Sequence, residues 1–218
     1  YFCTMQGFVN YKNIQVAFSS QGKGSAVVLI HGFLESSTMW KEIIPVLSKR
    51  NRVITIDLLG HGKTECLGYV HTMKEQARMI KTVLNHLKLR RYKLVGHSMG
   101  GYVLLAFAQL YQDSIKGFCL MNSTYKTDNE DRKKLRTRAI KMAEKNYENL
   151  IRISFTNLFS EYSRTVFKSE IKDALSEALK TPVQGYIAAQ EGMKIRENYT
   201  TFFKNASFKR TIILGKKD

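Results

Sequence analysis

Short apolar runs alternate with longer amphipathic segments along the first half of this 218-residue chain. The runs at residues 26–30, 52–56 and 92–95 lack the polar alternation of a half-exposed strand, so we expect strands that are buried on both faces. Between them, apolar residues recur at three- and four-residue steps, which is the spacing of a helix that packs one face against a sheet. The pattern predicts an α/β fold, with a mostly parallel sheet and helices on both of its faces.

Other segments complete this prediction. Residues 7–20 favour an antiparallel hairpin, Thr72 is expected to cap a helix, and residues 99–111 predict a central helix because they are apolar almost all round. An earlier helix is expected to bury one face, made of Trp40, Ile43, Ile44 and Leu47.

The residue pattern changes from strand-like to helix-like after a further predicted strand at 117–121. Residues 123–207 carry charged, helix-like segments, and strand character returns only at 211–214. One crossover helix needs far fewer residues, so this block is predicted to be a helical cap, or lid, inserted into the sheet domain. The predicted core then comprises residues 1–122 and 208–218.

The chain is strongly basic, with 35 Lys and Arg against 18 Asp and Glu, a net charge of +17. The excess is spread along the chain, and its densest run, 132–138, has no aromatic residue to stack on a base, which argues against a nucleic-acid partner. No apolar run approaches the roughly 18 residues of a membrane span. Three widely spaced cysteines fit neither a disulfide framework nor a zinc site, so we expect a soluble, cytoplasmic protein.

The motif Gly96-His97-Ser98-Met99-Gly100 lies between a predicted buried strand and the apolar helix that follows it. In that context the chain must turn sharply, and the glycines allow neighbouring backbone to pass close by. The serine is then presented at a helix N-terminus, where negative charge is favoured. Ser98 is therefore predicted to be a catalytic nucleophile.

With His31-Gly32-Phe33 after one strand and a loop from Asp57 to Thr64 after the next, this motif resembles the α/β-hydrolase superfamily. The resemblance is to its lidded, serine-nucleophile branch, which includes carboxylesterases, carbon–carbon bond hydrolases and menaquinone-pathway hydrolases. It implies cleavage of a small or medium ester or thioester through an acyl-enzyme on Ser98, with no cofactor and no metal. It further implies oxyanion donors at the backbone N–H of Phe33 and Met99, a substrate pocket with Leu34, and Asp218 as the triad acid.

The chain departs from this family in its histidines, because the family's catalytic histidine follows the acid. All five histidines, His31, His61, His71, His86 and His97, precede Ser98. We expect a C-terminal helix, a strand and the histidine beyond residue 218. His31, His61 and Asp57 are expected to order their own loops, His97 to pack structurally, and His71 and His86 to lie at the surface.

Two other functions stay open at this stage. One is a carbon–carbon bond hydrolase or menaquinone-pathway-type lyase acting on an anionic substrate, which basic residues of the cap would bind. The other is a catalytically silent ligand-binding or receptor protein of the same fold, a reading that the missing histidine favours and the retained Ser98 opposes. The oligomeric state is open too.

Overall fold

The computed structural model describes residues 4–215, and within them one seven-stranded sheet carries the fold. Its strands lie in the order β1-β2-β4-β3-β5-β6-β7, and those from β4 to β7 run parallel, whereas β1 and β2 are antiparallel to their neighbours. The α/β fold class predicted from the sequence is confirmed. The strands are β1 (Thr4–Tyr11), β2 (Ile14–Gln21), β3 (Ser25–Ile30), β4 (Asn51–Ile56), β5 (Tyr92–His97), β6 (Ile115–Met121) and β7 (Lys209–Ile213).

Helices cover the sheet and fill the chain between its last two strands. Short 3₁₀ turns occur at Ser37–Trp40 and Gln112–Ser114. The α-helices are α1 (Ile44–Leu47), α2 (Met73–His86), α3 (Met99–Leu110), α4 (Glu130–Thr156), α5 (Glu161–Val166), α6 (Lys168–Ala178), α7 (Val183–Lys194) and α8 (Thr200–Asn205). None of the helices in the described part is long and apolar enough to cross a membrane.

The main core lies between the sheet and helices α2 and α3. Thr72 caps α2 as predicted, since its side chain accepts a hydrogen bond of 3.1 Å from the Glu75 N–H. The apolar stripe of α2 and nearly all of α3 are buried against the strands. Strands β3 and β4 are buried on both faces over most of their length, which explains why their sequences are apolar without alternation. The same expectation for residues 92–95 is wrong, because Lys93 of β5 is exposed and Val95 is only partly buried.

The predicted first helix is wrong in its extent. Residues 37–40 form a 3₁₀ turn and α1 is a single helical turn that includes Pro45, which can occupy the first turn of a helix but not its interior. Trp40 does pack on the opposite face of the sheet, against Val27, Leu29 and Val53. Ile43, however, is 37% exposed, so the expected continuous buried face does not form.

Helices α4 to α8 form what we call the helical insertion (residues 130–205), which lies between β6 and β7 in the chain. It has its own apolar cluster, in which Ile151, Phe155 and Tyr186 are buried. Leu34 of the sheet domain completes this cluster, so the insertion packs directly on the loop that follows β3.

Candidate active site

Ser98 occupies the sharp turn between β5 and α3. Its backbone angles, φ 47° and ψ −115°, lie outside the regions that L-residues ordinarily adopt. The turn is fixed by hydrogen bonds, because the Ser98 N–H donates to Met121 O at 2.9 Å and the Ser98 carbonyl accepts from Ser123 Oγ at 2.8 Å. The half-buried serine is thus held at the head of α3, as the sequence predicted.

Close backbone packing explains the glycine at the end of this motif. A Cβ atom on Gly100 would lie 2.5 Å from the carbonyl oxygens of Ile30 and His31. Only glycine lets the first turn of α3 approach the end of β3 so closely, which brings Ser98 beside the loop that follows β3.

That loop is held by a small hydrogen-bond network around Glu35. One carboxylate oxygen of Glu35 accepts from the Gly32 N–H at 2.5 Å and from His97 Nδ1 at 2.9 Å. His31 acts from the other side, since its Nε2 accepts from the Leu58 N–H at 2.9 Å and its Nδ1 donates to Gly32 O at 2.7 Å. Both nitrogens of the His31 ring are therefore used in holding the loop, as the sequence led us to expect.

The two backbone groups expected to bind an oxyanion are available. Within residues 4–215, neither the Phe33 N–H nor the Met99 N–H donates a hydrogen bond to another group, and the Ser98 hydroxyl has no partner. The Met99 N–H lies at the N-terminus of α3, where an unpaired donor favours a developing negative charge.

The side chains of Met99, Phe33 and Leu34 pack in different parts of the protein. Met99 is buried in the main core, and the Phe33 ring lies 5.0 Å from the Tyr186 ring of the helical insertion. Leu34, with a φ of 61°, packs into the apolar cluster of the insertion. Phe33 and Leu34 therefore both contact the helical insertion, and a pocket that contains Leu34, as predicted, would lie between the loop after β3 and the insertion.

Asp57 braces the loop after β4, as expected. Its Oδ1 accepts from the Ser37 N–H at 2.7 Å and its Oδ2 accepts from the Lys63 N–H at 2.9 Å. With both oxygens engaged by backbone, this carboxylate links two loops and does not hold a histidine.

The surface position predicted for His71 is wrong, because His71 is fully buried. It lies under the backbone of α7, where the His71 N–H donates to Ala188 O at 2.9 Å. His61 is also fully buried, and its ring is 5.5 Å from that of His31. Burial lowers the pKa of His61 to about 3 and that of His71 to about 4, so both rings are neutral at pH 7. His86 is exposed, as predicted.

No triad is assembled among residues 4–215. No histidine in this part of the chain bonds to the Ser98 hydroxyl, and His97 instead holds Glu35. Asp218, the predicted triad acid, lies outside the described residues. The structure thus places the turn at Ser98 beside the loop after β3 that contains Phe33, and the assignment of Phe33 and Met99 as oxyanion donors stays a prediction.

The helical insertion is tied to the helix that carries Ser98 through a buried ion-pair cluster. Asp128, whose side chain is fully buried, pairs with Arg136 of α4 at 2.5 Å and with Arg196 at 2.7 Å. The Arg196 guanidinium also lies 4.1 Å from the ring centre of Tyr102 in α3. Burial raises the pKa of Asp128, but the hydrogen bond and charges of the two arginines outweigh it, so the net pKa is lowered.

Sequence reasoning missed both Glu35 and this cluster. Arg136 belongs to the basic run 132–138, and nothing in the spacing of that run shows that one member is paired with a buried acid. The sequence does show that Glu35 follows His31-Gly32 closely. It does not show that the Glu35 carboxylate accepts hydrogen bonds from the Gly32 N–H and from His97.

A cleft of about 980 Å³ lies between the loop after β3 and the helical insertion. Leu34 and Glu35 line one side of it, and Phe155, Phe159 and Phe167 line the other. Ser98 is not among its lining residues. The cleft begins next to Phe33, which is one residue from Leu34.

Comparison with known proteins agrees with the α/β architecture described above. A family model described as alpha/beta hydrolase fold matches residues 25–211. A 2-hydroxy-6-oxo-6-(2'-aminophenyl)hexa-2,4-dienoic acid hydrolase from Metapseudomonas resinovorans is 32% identical over 123 residues, which cover 55% of this chain and 42% of that protein. The match to this curated relative thus spans less than half of the relative's length.

Among solved structures, a thermophilic esterase from Thermogutta terrifontis superposes with a TM-score of 0.90 at 29% identity, over 98% of this chain and 80% of the esterase. An enol-lactonase from Burkholderia xenovorans LB400 has a TM-score of 0.88 at 19% identity, over 96% of this chain and 81% of that one, and this likeness shows the fold alone.

Proposed function

Because the chain belongs to the alpha/beta hydrolase fold family, we propose that it is a serine hydrolase that cleaves a small or medium ester, thioester or related acyl substrate. The observation that carries this proposal is the strained, hydrogen-bonded turn that holds Ser98 at the head of α3, next to the unpaired N–H of Met99. The similarity to a thermophilic esterase at 29% identity supports it.

In the proposed reaction, Ser98 Oγ attacks the acyl carbon while its proton passes to a histidine base. The carbonyl oxygen becomes negative and accepts hydrogen bonds from the Phe33 and Met99 N–H groups, each worth about 3 kcal/mol in the transition state. The leaving group departs with the proton from the histidine, and water then releases the acid and restores Ser98.

Since no histidine among residues 4–215 bonds to the Ser98 hydroxyl, we expect the base to come from another part of the protein. We propose that a segment beyond residue 218 supplies it, with Asp218 as its acid partner. We further propose that residues 123–207, which contain the helical insertion, form a lid over the site, because Leu34 and Phe33 pack against it.

A fluorophosphonate probe tests this proposal on the full natural gene product. Such a probe phosphonylates an activated serine, so intact mass spectrometry should show one adduct per chain. We expect Ser98→Ala to abolish the adduct and Ser207→Ala, at an exposed serine, to leave it unchanged. A folded full-length protein that takes no adduct, or that still takes one in Ser98→Ala, would contradict the proposal.

Carbon–carbon bond hydrolysis is the second candidate, and the similarity to the Metapseudomonas resinovorans hydrolase favours it. Steady-state kinetics separate the two candidates. An ester hydrolase turns over p-nitrophenyl esters faster than a 2-hydroxy-6-oxo-dienoic acid. A carbon–carbon bond hydrolase shows the reverse order. Ligand binding without any turnover would instead indicate a receptor of the same fold.

A further inference from the structure

Gly32 is held by hydrogen bonds on both sides of its backbone. Its N–H donates to Glu35 Oε2 at 2.5 Å, and its carbonyl oxygen accepts from His31 Nδ1 at 2.7 Å. Because a trans peptide unit is planar, the Gly32 carbonyl oxygen and the Phe33 N–H point in opposite directions from one rigid group. The backbone on both sides of Gly32 must therefore stay fixed if the Phe33 N–H is to keep its direction.

A single oxygen of Glu35 connects this glycine to the turn at Ser98. Glu35 Oε2 accepts from the Gly32 N–H and also from His97 Nδ1, at 2.9 Å. Gly32 directly precedes Phe33 in the chain, and His97 directly precedes Ser98. The carboxylate thus links the residue before the proposed oxyanion donor to the residue before the proposed nucleophile.

The packing around Gly32 shows how closely these groups meet. A Cβ atom on Gly32 would lie 2.7 Å from Glu35 Oε2 and 2.9 Å from His97 Nδ1. A side chain at this position would displace the carboxylate, the imidazole or both. Glycine is therefore required for the link to form, although its backbone is intrinsically the most free to rotate.

The link is also well suited to hold a loop in place. Hydrogen bonds to a carboxylate are shorter and stronger than those between neutral groups. The side chains of Glu35 and His97 are each 24% exposed, so water screens their contact less than it screens one at the open surface. Without Glu35, the hydrogen bond from His31 alone would have to restrain a glycine.

We propose that Glu35 is a positioning residue for the reaction, which acts through Gly32 and His97 to set the Phe33 N–H relative to the Ser98 hydroxyl. It does not itself touch the reacting atoms. The inference rests on the proposed hydrolase function and adds a residue that connects the two sides of the oxyanion site. A misplacement of about 1 Å can cost about 10²-fold in rate, so such a link affects turnover.

Two conservative variants separate the reach of this side chain from its charge. Glu35→Gln keeps the length and an oxygen acceptor but loses the charge, whereas Glu35→Asp keeps the charge and is one methylene shorter. The shorter carboxylate does not reach both the Gly32 N–H and His97 where they now lie. We expect fluorophosphonate labelling of the full-length protein to slow by less than about threefold in Glu35→Gln and by at least about tenfold in Glu35→Asp. Labelling of Glu35→Asp as fast as that of Glu35→Gln would overturn the proposal.

Steady-state kinetics with a p-nitrophenyl ester separate positioning from substrate binding. An interaction that is made only in the transition state changes kcat and leaves KM alone. We expect Glu35→Ala to lower kcat by about 10- to 100-fold with little change in KM. The matched variant Glu42→Ala removes an exposed acid from the segment after the same loop and should leave both constants unchanged. A raised KM with an unchanged kcat in Glu35→Ala would overturn the proposal.

Urea denaturation of the same variants separates positioning from a purely structural role. A residue that only stabilises the loop would lower the free energy of unfolding and leave the labelling rate of the folded protein unchanged, and that result would disprove positioning. The comparison of Glu35→Gln with Glu35→Asp decides the matter even if Glu35→Ala does not fold.

The wild-type protein distinguishes the failure of this inference from the failure of the proposed function. If Ser98 is labelled at the same rate in the wild type and in all Glu35 variants, the serine hydrolase stands and the positioning role is disproved. If the full-length wild type takes no label, both are overturned.

Discussion

Ser98 holds backbone angles that cost free energy in the folded state. A non-glycine residue in such a conformation is destabilised by about 1–3 kcal/mol, and the surrounding structure must compensate. Two hydrogen bonds do so here, one from the Ser98 N–H to Met121 O and one from Ser123 Oγ to the Ser98 carbonyl. Strain at this residue is therefore part of how the hydroxyl is held at the head of α3.

Replacing this serine by glycine should stabilise the protein while removing the nucleophile. Glycine adopts φ 47° without steric cost, and its greater freedom in the unfolded chain offsets part of the gain. We expect Ser98→Gly to raise the free energy of unfolding by about 1 kcal/mol, measured by urea denaturation. Ser98→Ala keeps the strained backbone and should show no such gain. Equal stability of the two variants would argue against backbone strain.

At the scale of elements, the contact between the helical insertion and the sheet domain is unusually close. The helix α7 approaches the sheet domain at two glycines, since a Cβ on Gly185 would contact the Gly60 backbone and one on Gly192 would contact the His71 backbone. The ion-pair cluster around Asp128 then joins α4 and the end of α7 to α3. The insertion is thereby fixed on the domain at both of its ends.

Breaking that ion-pair cluster should be costly because its charges are buried. We expect Asp128→Asn to lower the free energy of unfolding by about 3 kcal/mol, since it leaves two guanidinium groups without their carboxylate. Chemical denaturation measures this directly. The matched variant Glu148→Gln removes an exposed ion pair with Arg152 and should cost under about 0.5 kcal/mol. A similar decrease in unfolding free energy in both variants would show that the buried Asp128 cluster stabilises the fold no more than an exposed ion pair does.

At the scale of the whole molecule, buried histidines should make stability depend on pH. Burial lowers the pKa values of His31, His61 and His71 below 6.5, so the folded state binds fewer protons than the unfolded chain. Stability is therefore complete above pH 6.5 and falls as the pH drops below it, by up to about 1.4 kcal/mol per pH unit for each histidine.

The variant His61→Asn isolates one of these contributions. Its amide can keep the hydrogen bond to Leu59 O but does not titrate. Between pH 7 and pH 5 we expect its unfolding free energy to fall by about 2 kcal/mol less than that of the wild type. His86→Asn, at an exposed histidine, should reproduce the wild-type pH dependence. An unchanged pH dependence in His61→Asn would contradict the lowered pKa.

Much of the fold follows from local pattern, and particular residues show where pattern fails. Strands β3 and β4 and helix α3 were predictable because burial on both sides requires continuous apolar sequence. The helix expected over residues 40–47 is wrong, because Pro45 can stand in the first turn of a helix but not in its interior. His71 was misplaced because α7, more than a hundred residues later in the chain, covers it.

The sequence by itself determined the α/β class and the sharp turn that presents Ser98, because these depend on residues that are adjacent in the chain. Only the tertiary structure decided that Glu35 holds the loop after β3 and that Asp128 joins the insertion to α3. Such features depend on side chains from distant segments meeting in space. Local periodicity records which face of an element is buried, but it does not record which partner covers that face.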